Sequence, residues 1–299
     1  MKGERAGGTW LLLGVLALIW GSSFILMKRG LYHEGVPVLS PWQMATARLS
    51  IAWLALSPLL LRHASLLRLH WKPMLGSGLL GNGLPAVLFA MAQTRIDSAL
   101  SGMLNSLTPL MTLLTGLVFF ATPVRLVHFL GIGLGLLGAV GLVLFAEADG
   151  LGGWSWFALL PVLGTLGYGF SGNIVKRHLH GVPPMATTVG ALTWVGPISI
   201  ILALQSGLPQ KLRTDPHAWW ALGHVAVLAV MSSALALVLW NMLLQRTTAI
   251  RASMVTYLMP VVAMGWGLLD NEALGLAQSG MIGLVLAGVW LVSTGDKGR

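Results

Sequence analysis

Apolar residues occur along this chain in blocks of about twenty, divided by short polar breaks. The blocks run Trp10–Met27, Pro41–Leu61, Leu75–Met91, Ala99–Phe120, Phe129–Ala146, Trp154–Ile174, Met185–Leu204, Trp219–Leu244, Ala252–Leu269 and Leu276–Leu291. Crossing about 30 Å of hydrocarbon takes about 20 largely apolar residues in a helix, so each block predicts one transmembrane helix. The pattern therefore predicts an all-α polytopic membrane protein of ten transmembrane helices. Ten such helices use about 200 of the 299 residues, and no connection is left long enough to hold a folded soluble domain.

The first block has one competing reading. Lys2 and Arg5 ahead of an apolar run resemble a signal peptide. The run is long, no A-x-A-like site follows it, and Lys28-Arg29 closes it, so a retained helix is expected.

Composition agrees with lipid as the main solvent. Apolar residues make up 56% and charged residues 9%, against about 25% charged in a soluble domain. The net charge of +9 might suggest nucleic acid, but the basic residues stand singly between apolar runs, and no polyanion-binding stripe results. Their distribution instead orients the chain. With a cytoplasmic N-terminus, the inner side holds Lys2, Arg5, Arg62, Arg68, Lys72, Arg125, Lys176, Arg177, Arg246, Arg251, Lys297 and Arg299. The outer side holds only Lys28, Arg29, Arg95, Lys211 and Arg213. The excess of inner Lys and Arg predicts an inner (plasma) membrane protein with both termini cytoplasmic.

Self-comparison reveals a repeat. WGSSFILMKR, from Trp20 to Arg29, matches YGFSGNIVKR, from Tyr168 to Arg177, pairing Ser23 with Ser171 and aligning the two Lys-Arg pairs. The stretch from Ser101 to Leu117 matches that from Ala252 to Leu268, placing Pro109 on Pro260 and Asn105 on Thr256. Gly138 falls on Gly288 in a third match. The offset of about 150 residues divides the chain into five-helix units at 1–150 and 151–299. Five is odd, so the second unit is expected to enter the membrane from the opposite side. Inverted repeats of this kind build alternating-access transporters around a midplane site.

The WGSSF motif, the arginine early in the second helix (ATARLSIAWL) and the SALSGMLNSLTPLMTLL segment with its repeat IRASMVTYLMPVVAMGWG resemble EamA-type permeases of the drug/metabolite transporter superfamily. The resemblance spans essentially the whole chain. It implies a ten-helix inverted-repeat basket that exports or exchanges amino acids, nucleotide-related metabolites or xenobiotics. Members often carry an acidic residue after the fourth and ninth helices; Glu272 fits the second position, whereas the first half has Ala121.

Polar groups within the blocks are costly in lipid and mark a candidate pathway. Arg48 is the one formal charge well inside a block. It would either attract a substrate carboxylate or form a gating ion pair, or else snorkel to the outer interface. Asn82, Asn105, Thr108, Asn173, Asn241, Thr256 and Tyr257 form the next group, with Trp20 and Tyr168 as repeat equivalents. Together with Ser23 and Ser171 they are expected to line a wet central cavity; singly, each would serve as an interhelical hydrogen bond. Trp42, Trp71, Trp154, Trp219 and Trp220 lie at block ends as interface anchors. Trp20, Trp194, Trp240 and Trp266 lie deeper, where they could stack on a flat or apolar solute. Pro109 and Pro260 interrupt their helices as hinges or as static bends.

Other chemistries lack their residues. With no cysteine there is no thiolate nucleophile or thiolate metal site, and no i,i+4 histidine pair or HExxH occurs within a block. GSGLLG at Gly76 and GLGLLG at Gly133 match a dinucleotide fingerprint but follow no strand, and they read as close helix packing, so no cofactor is expected. No midplane Asp or Glu offers a site for proton coupling. The expected function is export or exchange of small organic metabolites, most of all amino acids with hydrophobic or aromatic side chains. The competing readings are efflux of drug-like compounds, a passive channel, and a lipid-modifying transferase. The expected partners are a small-molecule substrate and membrane lipid; the sequence specifies no oligomeric state.

Overall fold

The computed structural model describes residues 2–122, 126–127, 129–131, 133–135, 137–138, 141, 156–270 and 276–295. Half of the fifth predicted block lies outside the described residues, as do Arg125, Trp154 and Glu272. Among the described residues seven helices are long and apolar enough to cross a membrane: α1 (Leu11–Leu31), α2 (Pro41–Leu69), α3 (Trp71–Ala92), α4 (Ser98–Phe120), α5 (Trp156–His178), α6 (Pro184–Gln205) and α7 (Ala218–Arg246). They contain 21 to 29 residues, so even the shortest spans about 30 Å at 1.5 Å per residue. Two further helices follow, α8 (Met259–Leu269) and α9 (Leu276–Gly295).

The broadest contacts join helices from the two sides of residue 150. These are α2 with α6, α4 with α5, α3 with α5 and α6, α7 with α1 and α2, and α8 with α4. Such interlocking requires close backbone approach, which small residues permit. A Cβ on Gly78 would collide with the Ala191 carbonyl of α6, and one on Gly81 with the Ser171 hydroxyl of α5. Both glycines belong to the GSGLLG string, whose role is thereby helix packing rather than phosphate binding.

Helix starts and breaks follow local chemistry. Ser40 and Gln43 form a capping box at the start of α2, with Pro41 at the first turn, where its missing N–H costs nothing. The Gln43 side-chain amide also donates to the Ser206 carbonyl at 2.9 Å, fastening the start of α2 to the end of α6. Within α4, Pro109 cannot donate to the Asn105 carbonyl. The Thr108 hydroxyl donates to that carbonyl instead, at 2.7 Å, and the helix breaks between Asn105 and Thr108. The repeat-equivalent segment breaks at the same place, with a short 3₁₀ stretch (Met254–Tyr257) and Leu258 before Pro260.

Two helices carry π-helical stretches, Leu79–Gly83 in α3 and Ala229–Leu235 in α7, starting 150 residues apart. The all-α expectation needs one amendment. Tyr32–His33 and Val36–Pro37 form a two-stranded antiparallel hairpin after α1. Its Glu34-Gly35 turn holds both residues at positive φ, 49° and 80°, the geometry of a tight hairpin turn.

Candidate functional site

Where the interrupted helices converge, they line a central cavity of about 100 Å³. Residues of both halves wall it. The first half contributes Trp20, Ser23, Phe24 and Met27 from α1, Arg48 from α2, Asn82 and Phe89 from α3, and Asn105 and Thr108 from α4. The second half contributes Tyr168 and Ser171 from α5, Ser232 and Trp240 from α7, and Thr256 and Met259 around the second broken helix.

Aromatic rings dominate two walls. Phe89 lies between Phe24, at 6.0 Å between ring centroids, and Tyr168, at 5.9 Å. Trp20 leans on Trp240 at 5.5 Å. Such surfaces suit a flat or apolar portion of a solute.

The polar groups between these walls are placed by the helix irregularities. In α7 the π-helical stretch turns successive serines toward two different helices of the first half. The Ser232 hydroxyl lies 2.5 Å from that of Ser23, and the Ser232 carbonyl accepts from the Trp20 indole at 3.1 Å. The Ser233 hydroxyl accepts from Arg48 Nε at 2.7 Å. The other repeat-equivalent serine makes a related contact, Ser171 with Ser77 of α3 at 3.0 Å. Asn105 Nδ2 approaches Met259 Sδ at 3.5 Å, so the two proline-broken helices meet at the cavity.

Two groups are left over. Arg48 points inward rather than to an interface, and among the described residues it forms no ion pair and no hydrogen bond besides the one to Ser233. Asn82 Nδ2, beside the π-helical glycines of α3, is buried with no partner among the described residues.

Four of the residues singled out in the sequence, Asn173, Asn241, Trp194 and Trp266, are not part of this wall. Asn173 donates to the Thr112 carbonyl at 2.8 Å, to the Thr115 hydroxyl at 3.0 Å and to the Gly169 carbonyl at 3.0 Å, which makes it a strut between α5 and α4. Asn241 donates to the Thr188 hydroxyl at 2.9 Å and ties α7 to α6. Trp194 packs against Trp71 at 6.0 Å. The Tyr257 side chain lies outside the described ones. Trp266 is also turned away from the cavity, its indole donating to the Ser22 hydroxyl at 2.9 Å. Sequence reasoning did not single out Phe24, Met27, Phe89, Ser232 or Met259. Ser232 was reachable, because the 150-residue offset sets it on Asn82.

The helix ends differ between the halves. Lys28 Nζ lies 2.6 Å from Asp270 Oδ2, and Arg29 Nη2 lies 3.6 Å from Asp270 Oδ1. The repeat-equivalent Lys176 donates to the Leu244 and Thr247 carbonyls, at 3.0 and 2.7 Å, and Arg177 to the Phe120 carbonyl at 3.1 Å.

Known proteins are similar to this chain. The Escherichia coli protein named uncharacterized inner membrane transporter YedA is 29% identical over 290 residues, spanning 95% of this chain and 90% of its own. A Salmonella typhimurium protein named "Probable amino-acid metabolite efflux pump" is 24% identical over 299 residues, spanning 95% of this chain and 94% of its own. One solved crystal structure superposes with a TM-score of 0.64 across 96% of this chain and 97% of its own; at 17% identity this likeness concerns the fold alone. The model of the EamA-like transporter family matches twice, at residues 8–144 and 155–294. A chain so covered by two copies, built of membrane-length helices around a cavity, is an integral multi-pass membrane transporter of the EamA-like family.

Proposed function

We propose that this transporter exports or exchanges small organic metabolites, foremost amino acids with hydrophobic or aromatic side chains, by alternating access around the central cavity. In this reading ten helices form two five-helix units of opposite orientation in the inner membrane, with both termini cytoplasmic. The observation that carries it is the cavity itself. It is walled by repeat-equivalent residues from both halves, holds a guanidinium with no carboxylate partner among the described residues, and is flanked by aromatic rings. A substrate with a carboxylate and an apolar body matches both features. The amino-acid efflux named for the Salmonella relative is consistent with that match. The cavity residues identified above include no acid, which favours facilitated export or exchange over proton coupling.

Purified protein in liposomes preloaded with a panel of amino acids and other metabolites provides the test. Saturable flux with counterflow is expected for at least one amino acid. Flux no faster than through empty liposomes across the panel would remove the amino-acid proposal. The orientation is tested separately by single cysteines at Lys28 and Lys176 in this cysteine-free chain. An impermeant thiol reagent should label the two from opposite faces; labelling from one face would end the inverted-repeat proposal.

A further inference from the structure

We propose that Ser233 is a positioning residue that aims Arg48 into the cavity, and that the aimed guanidinium makes the site select substrates with a carboxylate over their neutral analogues. The inference rests on the transport function proposed above.

Arg48 reaches the cavity from α2, one helix of the first half, on a long side chain with many accessible rotamers. Its only hydrogen bond among the described residues is Nε to the Ser233 hydroxyl at 2.7 Å. That bond occupies the inner nitrogen and leaves Nη1 and Nη2 as a fork, the geometry that grips a carboxylate through two parallel hydrogen bonds. Ser233 is itself held: it is 3% exposed and sits in the π-helical stretch Ala229–Leu235. The neighbouring Ser232 is fastened to Ser23 and Trp20. The widened helix thus lets two adjacent serines serve two helices, one bracing the aromatic wall of α1 and the other fixing the charge on α2. A substrate with an uncharged amide in place of the carboxylate would leave the fork without an anion, which penalises it relative to the acid.

The test compares phenylalanine with phenylalaninamide, which differ only in the carboxylate, in liposomes holding the wild type, Ser233→Ala or Ser233→Thr. For Ser233→Ala the KM for phenylalanine should rise about tenfold, the ratio expected when one charge-assisted hydrogen bond is lost, with kcat held. The KM for the amide should stay the same. Ser233→Thr, which keeps the hydroxyl, should restore the phenylalanine KM. Quenching of tryptophan emission by benzoate in detergent reads binding without transport and should weaken in Ser233→Ala alone. An unchanged phenylalanine KM, or an equal loss for acid and amide, would overturn the inference while the transport proposal stands. Failure of the wild type to bind benzoate and to move phenylalanine would remove the carboxylate reading of the cavity, and this inference with it.

Discussion

Asn173 and Asn82 are the same residue type, each within a membrane-length helix, yet the fold uses them differently. Asn173 has its amide nitrogen committed to three acceptors on α4 and its own helix. Asn82 faces the cavity with its amide nitrogen unpartnered among the described residues. Asn241 resembles the first and Arg48 the second. In a medium without water a saturated polar group is a strut, whereas a polar group with spare donors is costly unless something else arrives to meet it. The contrast separates polar residues that hold the helices together from those that, in the proposed function, would meet a solute.

Substitution should split the two classes by readout. The largest effect is expected at Arg48: Arg48→Ala should lower carboxylate transport about ten- to a hundredfold, corresponding to about 1.5–3 kcal/mol for interactions with a charged group. Its thermal unfolding should match the wild type. Unchanged kinetics would return Arg48 to a purely structural role. Asn173→Ala should do the converse, lowering stability in detergent by about 1 kcal/mol with normal transport per folded molecule. Asn82→Ala should change the KM about threefold, a fraction of one neutral hydrogen bond, and leave the unfolding midpoint in place. A loss of stability at Asn82 equal to that at Asn173 would erase the distinction drawn between them.

The charged helix ends repeat the comparison at smaller scale. Lys28 and Arg29 meet a carboxylate, Asp270, whereas Lys176 and Arg177 donate to backbone carbonyls. Asp270→Asn removes that carboxylate. Because the groups are partly exposed, the expected loss is about 0–1 kcal/mol, read as a small drop in the unfolding midpoint that high salt reproduces in the wild type. The smallest effect belongs to Asp215, in the connection between α6 and α7. The hydrogen bond from Lys211, supported by the His217 backbone N–H, holds its carboxyl below the usual range. A depressed carboxylate favours the fold above its unfolded value, and this contribution fades as pH falls through the lower folded value. Asp215→Asn should therefore leave transport unchanged, lower stability slightly at neutral pH, and converge with the wild type in acid, so that the acid limb of the stability profile flattens.

The class of solvent, the seven membrane-length helices seen among the described residues, the duplication and the family resemblance were all legible in the chain before it folds. These depend on runs of about twenty apolar residues and on paired landmarks such as Pro109 and Pro260, which are properties of the chain in one dimension. The sequence also marked most of the polar residues that line the cavity, because any polar group in such a run stands out. Which of them line the cavity and which brace neighbouring helices depended on how the helices pack. Asn82, Asn173 and Asn241 look alike in sequence, since a strut and a cavity wall both require an inward-facing amide; the difference lies in whether an acceptor sits within 3 Å on a neighbouring helix. The fold alone also revealed Ser233, because a π-helical stretch leaves no residue pattern of its own and acts by rotating an ordinary serine toward a partner more than 180 residues away.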